Sequence, residues 1–213
     1  GVTWKLENGD TLRISGSGAM EDYDDYDETP WYIAEVYYDS ENITKIVIDD
    51  GVTKIGKYAF AYFYYVNEIQ IGNNVKSIGD YAFSSCKRLR GLELPENLKL
   101  IKQGAFSECQ NLVMVKIPKG VLEIEDSTFS FCSSLEKIEI PDSVSSIGAE
   151  AFSGCDKLRK LFLPESVKFI DKNAFSYCPN LTIFCIENSY VHKYCLATGR
   201  NAVLVSSSLE VDD

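Results

Sequence analysis

Phe60, Phe83, Phe106, Phe129, Phe152 and Phe175 follow one another at a constant step of 23 residues, as do Ile55, Ile78, Ile101, Ile124, Ile147 and Ile170. Leu89, Leu112, Leu135, Leu158 and Leu181 keep the same phase, and so do Cys86, Cys109, Cys132, Cys155 and Cys178. A period this regular in positions this apolar restricts the chain to a solenoid, in which each repeat is one coil and equivalent residues stack into ladders. One coil cannot fold alone. Its buried apolar side chains, about seven at roughly 2 kcal/mol each, fall short of the cost of ordering its backbone at about 1–2 kcal/mol per residue. Coil must stack on coil, and the two ends of the array need caps.

Within each repeat the run Leu89-x-x-Leu92-x-Leu94, repeated at Leu135, Ile138, Ile140 and at Leu158, Leu161, Leu163, alternates apolar with polar residues and predicts a strand buried on one face. Strands that recur at a fixed interval in one direction pair in parallel. The predicted strand centres, Val47, Gln70, Glu93, Lys116, Glu139, Phe162 and Cys185, point outward, and their neighbours, such as Ile69 and Ile71 or Ile138 and Ile140, point inward. A Pro or Gly turn follows each strand (Gly72, Pro95, Pro118, Pro141, Pro164), then an apolar step at Val75, Leu98, Val121, Val144 or Val167. The Ala-Phe-x-x-Cys segment is too short for a full helix and reads as one helical or 3₁₀ turn. Gly56, Gly79 and Gly148 share a position with Lys102, Glu125 and Asp171, so no positive φ is compulsory there.

This pattern resembles the leucine-rich repeat, and more narrowly the BspA-like family, whose Ile-x-x-x-Ala-Phe-x-x-Cys-x-x-Leu unit, followed by a strand and Pro, is matched by Ile78, Ala82, Phe83, Cys86, Leu89 and Pro95, and again by Ile147, Ala151, Phe152, Cys155, Leu158 and Pro164. The resemblance spans residues 43–187. It implies an α/β solenoid: a right-handed leucine-rich repeat with a parallel β-sheet on the concave face, short helical or 3₁₀ turns opposite, a β-rich N-terminal cap and a helical C-terminal cap. One departure is that the usual Asn/Cys ladder after the strand is filled by Asn74, Asn97, Gly120, Ser143 and Ser166.

Three regions follow. Residues 1–42 hold two alternating runs around Asn8-Gly9-Asp10, a hairpin signal, with Trp4, Leu6, Leu12 and Ile14 on one apolar face, as in the Thr-Trp…Gly-x-Leu-x-Ile-Ser-Gly module with which BspA-like proteins often begin. Pro30-Trp31-Tyr32 and Tyr37-Tyr38 are expected to pack this region onto the first coil. Residues 43–187 are the repeats. Residues 188–213 carry helical spacing at Val191, Tyr194 and Cys195, a closing Gly199, a short strand at 202–205 and a polar tail from Ser206 that is expected to be disordered; BspA-like arrays often close with a similar Ser-Tyr-Ala-x-x-Tyr-Ala helix.

The net charge of −11 argues against duplex nucleic acid or an anionic membrane surface as a partner, because binding there depends on Lys and Arg neutralising phosphate. No apolar run is long enough to span a bilayer, and residues 1–20 lack the basic-then-apolar layout of a signal peptide, so the sequence reads as a mature segment. Five of the seven cysteines share one ladder position, which Phe63 fills in the first repeat. The site therefore accepts a plain apolar side chain, and the thiols are expected to be buried and reduced.

Little in the chain points to chemistry. His192, the sole histidine, has no ligand or nucleophile partner at a recognisable spacing, and neither a phosphate loop nor a Gly-x-Ser-x-Gly elbow occurs. The Cys ladder matches neither a zinc knuckle nor a Cys-His pair. Residues 21–28 pack six carboxylates into eight positions, oxygens that Ca²⁺ could use, but without the Asp-x-Asp-x-Asp-Gly spacing or a twelfth-position Glu they read as a solvated acidic loop. Asn42-Ile43-Thr44 and Asn180-Leu181-Thr182 fit the glycosylation pattern, which has meaning only outside bacteria.

What remains is a surface. Glu68, Gln70, Glu93, Met114, Lys116, Lys137, Glu139, Lys160, Phe162 and Ile183 are expected on the strand face, with lysines gathered around an exposed Phe162 in its second half. The candidate partner-binding residues are Lys116, Lys137, Glu139, Lys160 and Phe162; no metal, cofactor or catalytic residue is assigned. The resemblance implies a non-enzymatic, secreted or cell-surface module that adheres to host or extracellular-matrix proteins, expected to be a monomer. The alternative is a structural spacer within a larger surface protein.

Overall fold

The computed structural model describes residues 1–33 and 42–206; Tyr37, Tyr38 and residues 207–213 lie outside the described residues. Strands Lys45–Ile48, Glu68–Ile71, Gly91–Leu92, Met114–Lys116, Lys137–Glu139, Lys160–Phe162 and Thr182–Cys185 form one row of a β-solenoid. Parallel registers such as Val47 with Gln70 and Lys116 with Glu139 reproduce the 23-residue step. Their inward residues, among them Ile46, Leu92, Val115, Ile138 and Leu161, enter one continuous core.

The step breaks once. Lys160 pairs with Thr182 and Phe162 with Phe184, one residue short of the period. The cause is local: two residues separate the inward Leu158 and Leu161, whereas only Thr182 separates Leu181 from Ile183. Ile183 and Cys185, expected to face outward, are therefore fully buried, and Phe184 takes the outward position. Val47 is also buried, in register between Arg13 and Gln70, because the hairpin supplies another strand beside it.

A second row of short parallel strands, Val52–Ile55, Ser77–Ile78, Leu100–Ile101, Glu123–Ile124, Ser146–Ile147 and Phe169–Ile170, carries the buried isoleucine ladder. On the third side the Ala-Phe-x-x-Cys segment is not the single helical or 3₁₀ turn that its length suggests. Tyr81 and Ser85 sit in the left-handed region at φ 53° and 61°, as do Ser127, Phe131, Glu150 and Gly154 in later coils. The left-handed residues turn alternate N–H groups out of the coil. Those of Tyr81, Phe83 and Ser85 donate to Gln103, Ala105 and Ser107 of the next coil, while those of Ala82, Ser84 and Cys86 bond within their own. Every side of the coil is thus tied to its neighbour by backbone hydrogen bonds, which leaves few buried polar groups unpaired.

Inside, the phenylalanines stack face to face from Phe60 to Phe175 with centroids 5.3–5.8 Å apart. Trp31 extends the stack at the N-terminal end, 5.2 Å from Phe60, and the Arg200 guanidinium covers Phe175 at 5.5 Å on the other. Beside the rings, each ladder thiol donates to the Phe carbonyl one coil back: Cys109 to Phe83 at 3.3 Å, Cys132 to Phe106 at 3.2 Å, Cys155 to Phe129 at 3.3 Å. A polar ladder also follows the strands, where Asn74, Asn97, Ser143 and Ser166 each donate to a backbone carbonyl of the preceding coil.

At the N-terminal end the hairpin Val2–Glu7 and Thr11–Gly16 turns through Asn8 and Gly9, both left-handed as a type I′ turn requires, and joins the first row with Leu12 opposite Ile46. Leu12 and Ile14 are fully buried, and Trp4 and Leu6 half-buried. At the other end the helix Tyr190–Thr198 starts on the Ser189 hydroxyl, stops at the left-handed Gly199 and buries Val191, Tyr194 and Cys195. Strand Ala202–Leu204 then pairs with Ile183–Cys185.

Phe129 touches the rings of both adjacent coils. Phe129→Ala should therefore lower stability by about 3–5 kcal/mol in urea unfolding and speed amide exchange in the coils of Phe106 and Phe152. Loss of protection confined to its own coil would show that the rings do not couple the layers.

Gly154 lies at φ 71°, and a Cβ there would stand 2.7 Å from the Phe131 ring. Gly154→Ala should cost about 1–2 kcal/mol from the left-handed backbone alone, plus the displacement of that ring. In a double-mutant cycle with Phe131→Ala only the backbone part should remain.

Burial raises the ladder thiols above their ordinary range, Cys109 to about 12 and Cys86, Cys132 and Cys155 well above it. The unfolded chain releases thiol protons from about pH 8.5. Stability is therefore complete below that pH and falls as pH rises, by up to about 1.4 kcal/mol per pH unit for each buried thiol. Between about pH 8 and pH 10, Cys132→Ala should lose about 1–2 kcal/mol less than the unmodified chain. Equal losses in urea unfolding would mean that Cys132 ionises as freely when folded.

Candidate binding face

The outward side of the first strand row is a grid, since strand pairing sets rows about 4.8 Å apart and alternate residues face out. In its second half this grid sinks into an open depression of about 780 Å³. Lys116, Lys137 and Glu139 lie on its strands, exposed, with Lys160 exposed and Phe162 half-buried on the next. The structure therefore brings these five residues onto one surface. Phe162 differs from the expected exposed ring: it is half-buried and in register with Phe184, over which Lys160 Nζ sits at 5.9 Å from the ring centroid.

The depression is strongly cationic. Among the described residues, Lys116, Lys119, Lys137, Lys157, Arg159 and Lys160 line it, opposed by Glu136 and Glu139, within a chain whose net charge is −11. Lys137 approaches Glu139 at 3.9 Å with both side chains about half exposed, a pairing worth little. In register, Lys116 lies beside Glu139, and Lys137 beside Met114, which is 54% exposed. Buried Ile117, Ile138 and Ile140 and Pro141 form the floor.

Lys119, Lys157 and Arg159 escape a reading restricted to strand centres and their outward neighbours. They stand one turn beyond a strand or just before one, at Pro118-Lys119 and Lys157-Leu158-Arg159, and polar residues flanking a buried Leu were the available signal. Phe184 was hidden by the shortened last step, although polar Thr182 beside Ile183 marks the shift.

Other candidates are engaged elsewhere. Asp22 pairs with Lys54 and accepts from the Lys57 N–H, Asp25 accepts from the Tyr26 N–H, and Glu28 accepts from the Asp24 N–H, so these carboxylates of the acidic loop diverge rather than converge. Among the described residues no group of three or more His, Cys, Asp or Glu side chains is placed to hold a metal ion. His192 Nδ1 accepts from the Asn188 N–H at 3.1 Å at the start of the terminal helix. No described helix is long and apolar enough to cross a membrane.

A solved leucine-rich cell surface protein from Faecalibacterium prausnitzii is 29% identical over 86% of this chain, with a TM-score of 0.66, and the chain spans about half, 52%, of that protein's chain. A leucine-rich repeat protein of T. pallidum matches over 97% of both chains at 21% identity and a TM-score of 0.64. One from Eubacterium ventriosum matches over 98% of this chain and 77% of its own at 20% identity and a TM-score of 0.56. The last two share the fold. No curated protein matches the chain. The profile described as the BspA type leucine rich repeat region matches residues 32–141 and 123–208, in six copies. With repeat, ladders and match in agreement over most of its length, the chain belongs to the BspA-type leucine-rich repeat family.

Proposed function

We propose that the chain is a non-enzymatic protein-binding module of a secreted or cell-surface protein, and that it adheres to host or matrix proteins through the strand row, its concave face, at Lys116, Lys137, Glu139, Lys160 and Phe162. The hairpin and the terminal helix serve as caps in this reading, and the module acts as a monomer. The observation that carries it is the concentration of cations around half-buried aromatic rings on an otherwise acidic chain. Such a surface offers both contact area and selectivity, since aromatic residues supply binding energy and charges supply register. The similarity to a Faecalibacterium protein described as a cell surface protein supports the location. Binding rather than catalysis is supported by thiols that burial holds protonated and by a histidine engaged in its own helix start.

The spacer reading draws on the Lys137–Glu139 approach, which is what an inert soluble face also contains. Surface adhesion of the purified chain to a panel of matrix proteins separates the two, measured beside a Lys137→Glu, Phe162→Ala variant of matched stability. The variant should bind at least about tenfold more weakly, as expected when a contact anchor and a register-setting charge are lost together. Equal binding by both would remove this patch from the interface, and no binding by either would favour the spacer.

A further inference from the structure

The cations of the depression are not scattered. Lys116 ends one strand, Lys137 and Lys160 begin the next two, and Arg159 and Lys157 stand just ahead of the last. They form a diagonal belt across three coils. From Lys116 to Lys157 the belt moves five residues toward the start of the strands and two coils along the array, on the order of 20 Å, the length of about six extended residues. Glu139, in register with Lys116, lies to one side of it, and Glu136, next to Lys137 in the chain, lies to the other. Phe162 and Phe184, half-buried and in register with each other, stand beside the belt at its last coil, Phe162 two residues after Lys160 and on the side of Glu139.

Resting on the reading of this face as a protein-binding surface, we infer that its occupant is an extended acidic peptide segment, about six residues long, laid along this belt with an apolar side chain against Phe162 and Phe184. Three features select it. A narrow line of cations matches carboxylates at alternate positions of an extended chain, which recur about every 6.6 Å on one side. Glu136 and Glu139 oppose anions that stray from the line, so a uniformly charged polysaccharide would meet repulsion where a peptide can place neutral residues. The aromatic pair, beside the belt only at its last coil, offers an anchor that suits an apolar side chain and fixes the direction of the segment.

The probe is a fluorescein-labelled peptide, Glu-Ser-Glu-Ser-Glu-Ser-Phe, titrated with the full chain. Binding should weaken at least about tenfold between about 50 and about 300 mM sodium chloride, as screening of exposed charges requires. It should also weaken at least about tenfold in Lys116→Glu, Lys160→Glu, and should be unchanged in Lys76→Glu, Lys99→Glu, which alters net charge equally at exposed residues off this face. Replacing the terminal Phe of the peptide by Ser should weaken binding several-fold, about the value of one lost apolar contact.

Equal loss in both charge variants would overturn the belt in favour of net charge alone. Tighter, equally salt-sensitive binding of a heparin oligosaccharide at the same lysines would overturn the peptide assignment in favour of a glycan. Absence of peptide binding, while matrix proteins still bind and Lys137→Glu, Phe162→Ala still weakens them, would overturn this inference and leave the protein-binding reading in place. Loss of matrix-protein binding with retained peptide binding would do the reverse.

Discussion

The structure depends on the register of one coil upon the next, and the stacked phenylalanines show most directly what holds it. A ring 5.3–5.8 Å from the ring above and the ring below cannot be moved without disturbing two coils. The backbone imposes the same spacing independently, through parallel strand pairing on two sides and alternate N–H donation on the third. Thiol donation to the Phe carbonyl one coil back then explains why Cys occupies a place that Phe63 can also fill. A buried S–H is a weak donor, so the ladder adds direction to packing that apolar contact already supplies. Ends are the weak points of such an array, and Trp31 and Arg200, two flat groups, terminate the stack of rings.

The same register turns the outer surface into a grid. A residue's neighbours across the face are those 23 positions away, so the surface chemistry is written in sequence columns rather than in sequence runs. The diagonal of cations arises because Lys116 ends its strand, Lys137 and Lys160 share one column at the start of theirs, and Arg159 and Lys157 stand ahead of Lys160 in the last coil. Random surface polarity would scatter both signs over these positions. Here the two carboxylates of the depression flank the diagonal.

Much of the fold was legible because the period is carried by fully buried residues, where a single substitution breaks contacts with two neighbours. Strand direction, inward and outward positions in the middle coils, the phenylalanine ladder and the hairpin with its apolar face all followed from that. The failures have particular causes. Phe184 was missed, and Ile183 and Cys185 were misplaced, because a one-residue deletion inside an apolar run leaves the composition unchanged while reversing every following side chain. The left-handed residues were invisible since Tyr81, Ser127 and Glu150 occupy positions where only Gly104 signals a positive φ. The second row of strands is only two residues long in most coils, too short for alternation to register. For the candidate face, the placing of its strand residues on one surface was legible and that of the flanking Lys119, Lys157 and Arg159 was not, because their convergence depends on how turns fold back beside the strands.

Charge also decides how such a face can work. Over distances longer than about 8 Å the solution screens individual charges, and what an approaching acidic partner first meets is a chain of net charge −11. Long-range attraction is therefore weak or absent, and the cations of the depression act only near contact. Electrostatics here cannot serve mainly to speed encounter, as it does where whole surfaces are complementary. In the proposed contact its effect would fall on the lifetime and register of a complex already formed, where six cations in a recess, two carboxylates beside them and an aromatic pair next to Lys160 would discriminate among segments that net charge alone would repel. A weakly steered but selective contact suits a module held near its partner by other means, because high local concentration removes the need for a fast encounter.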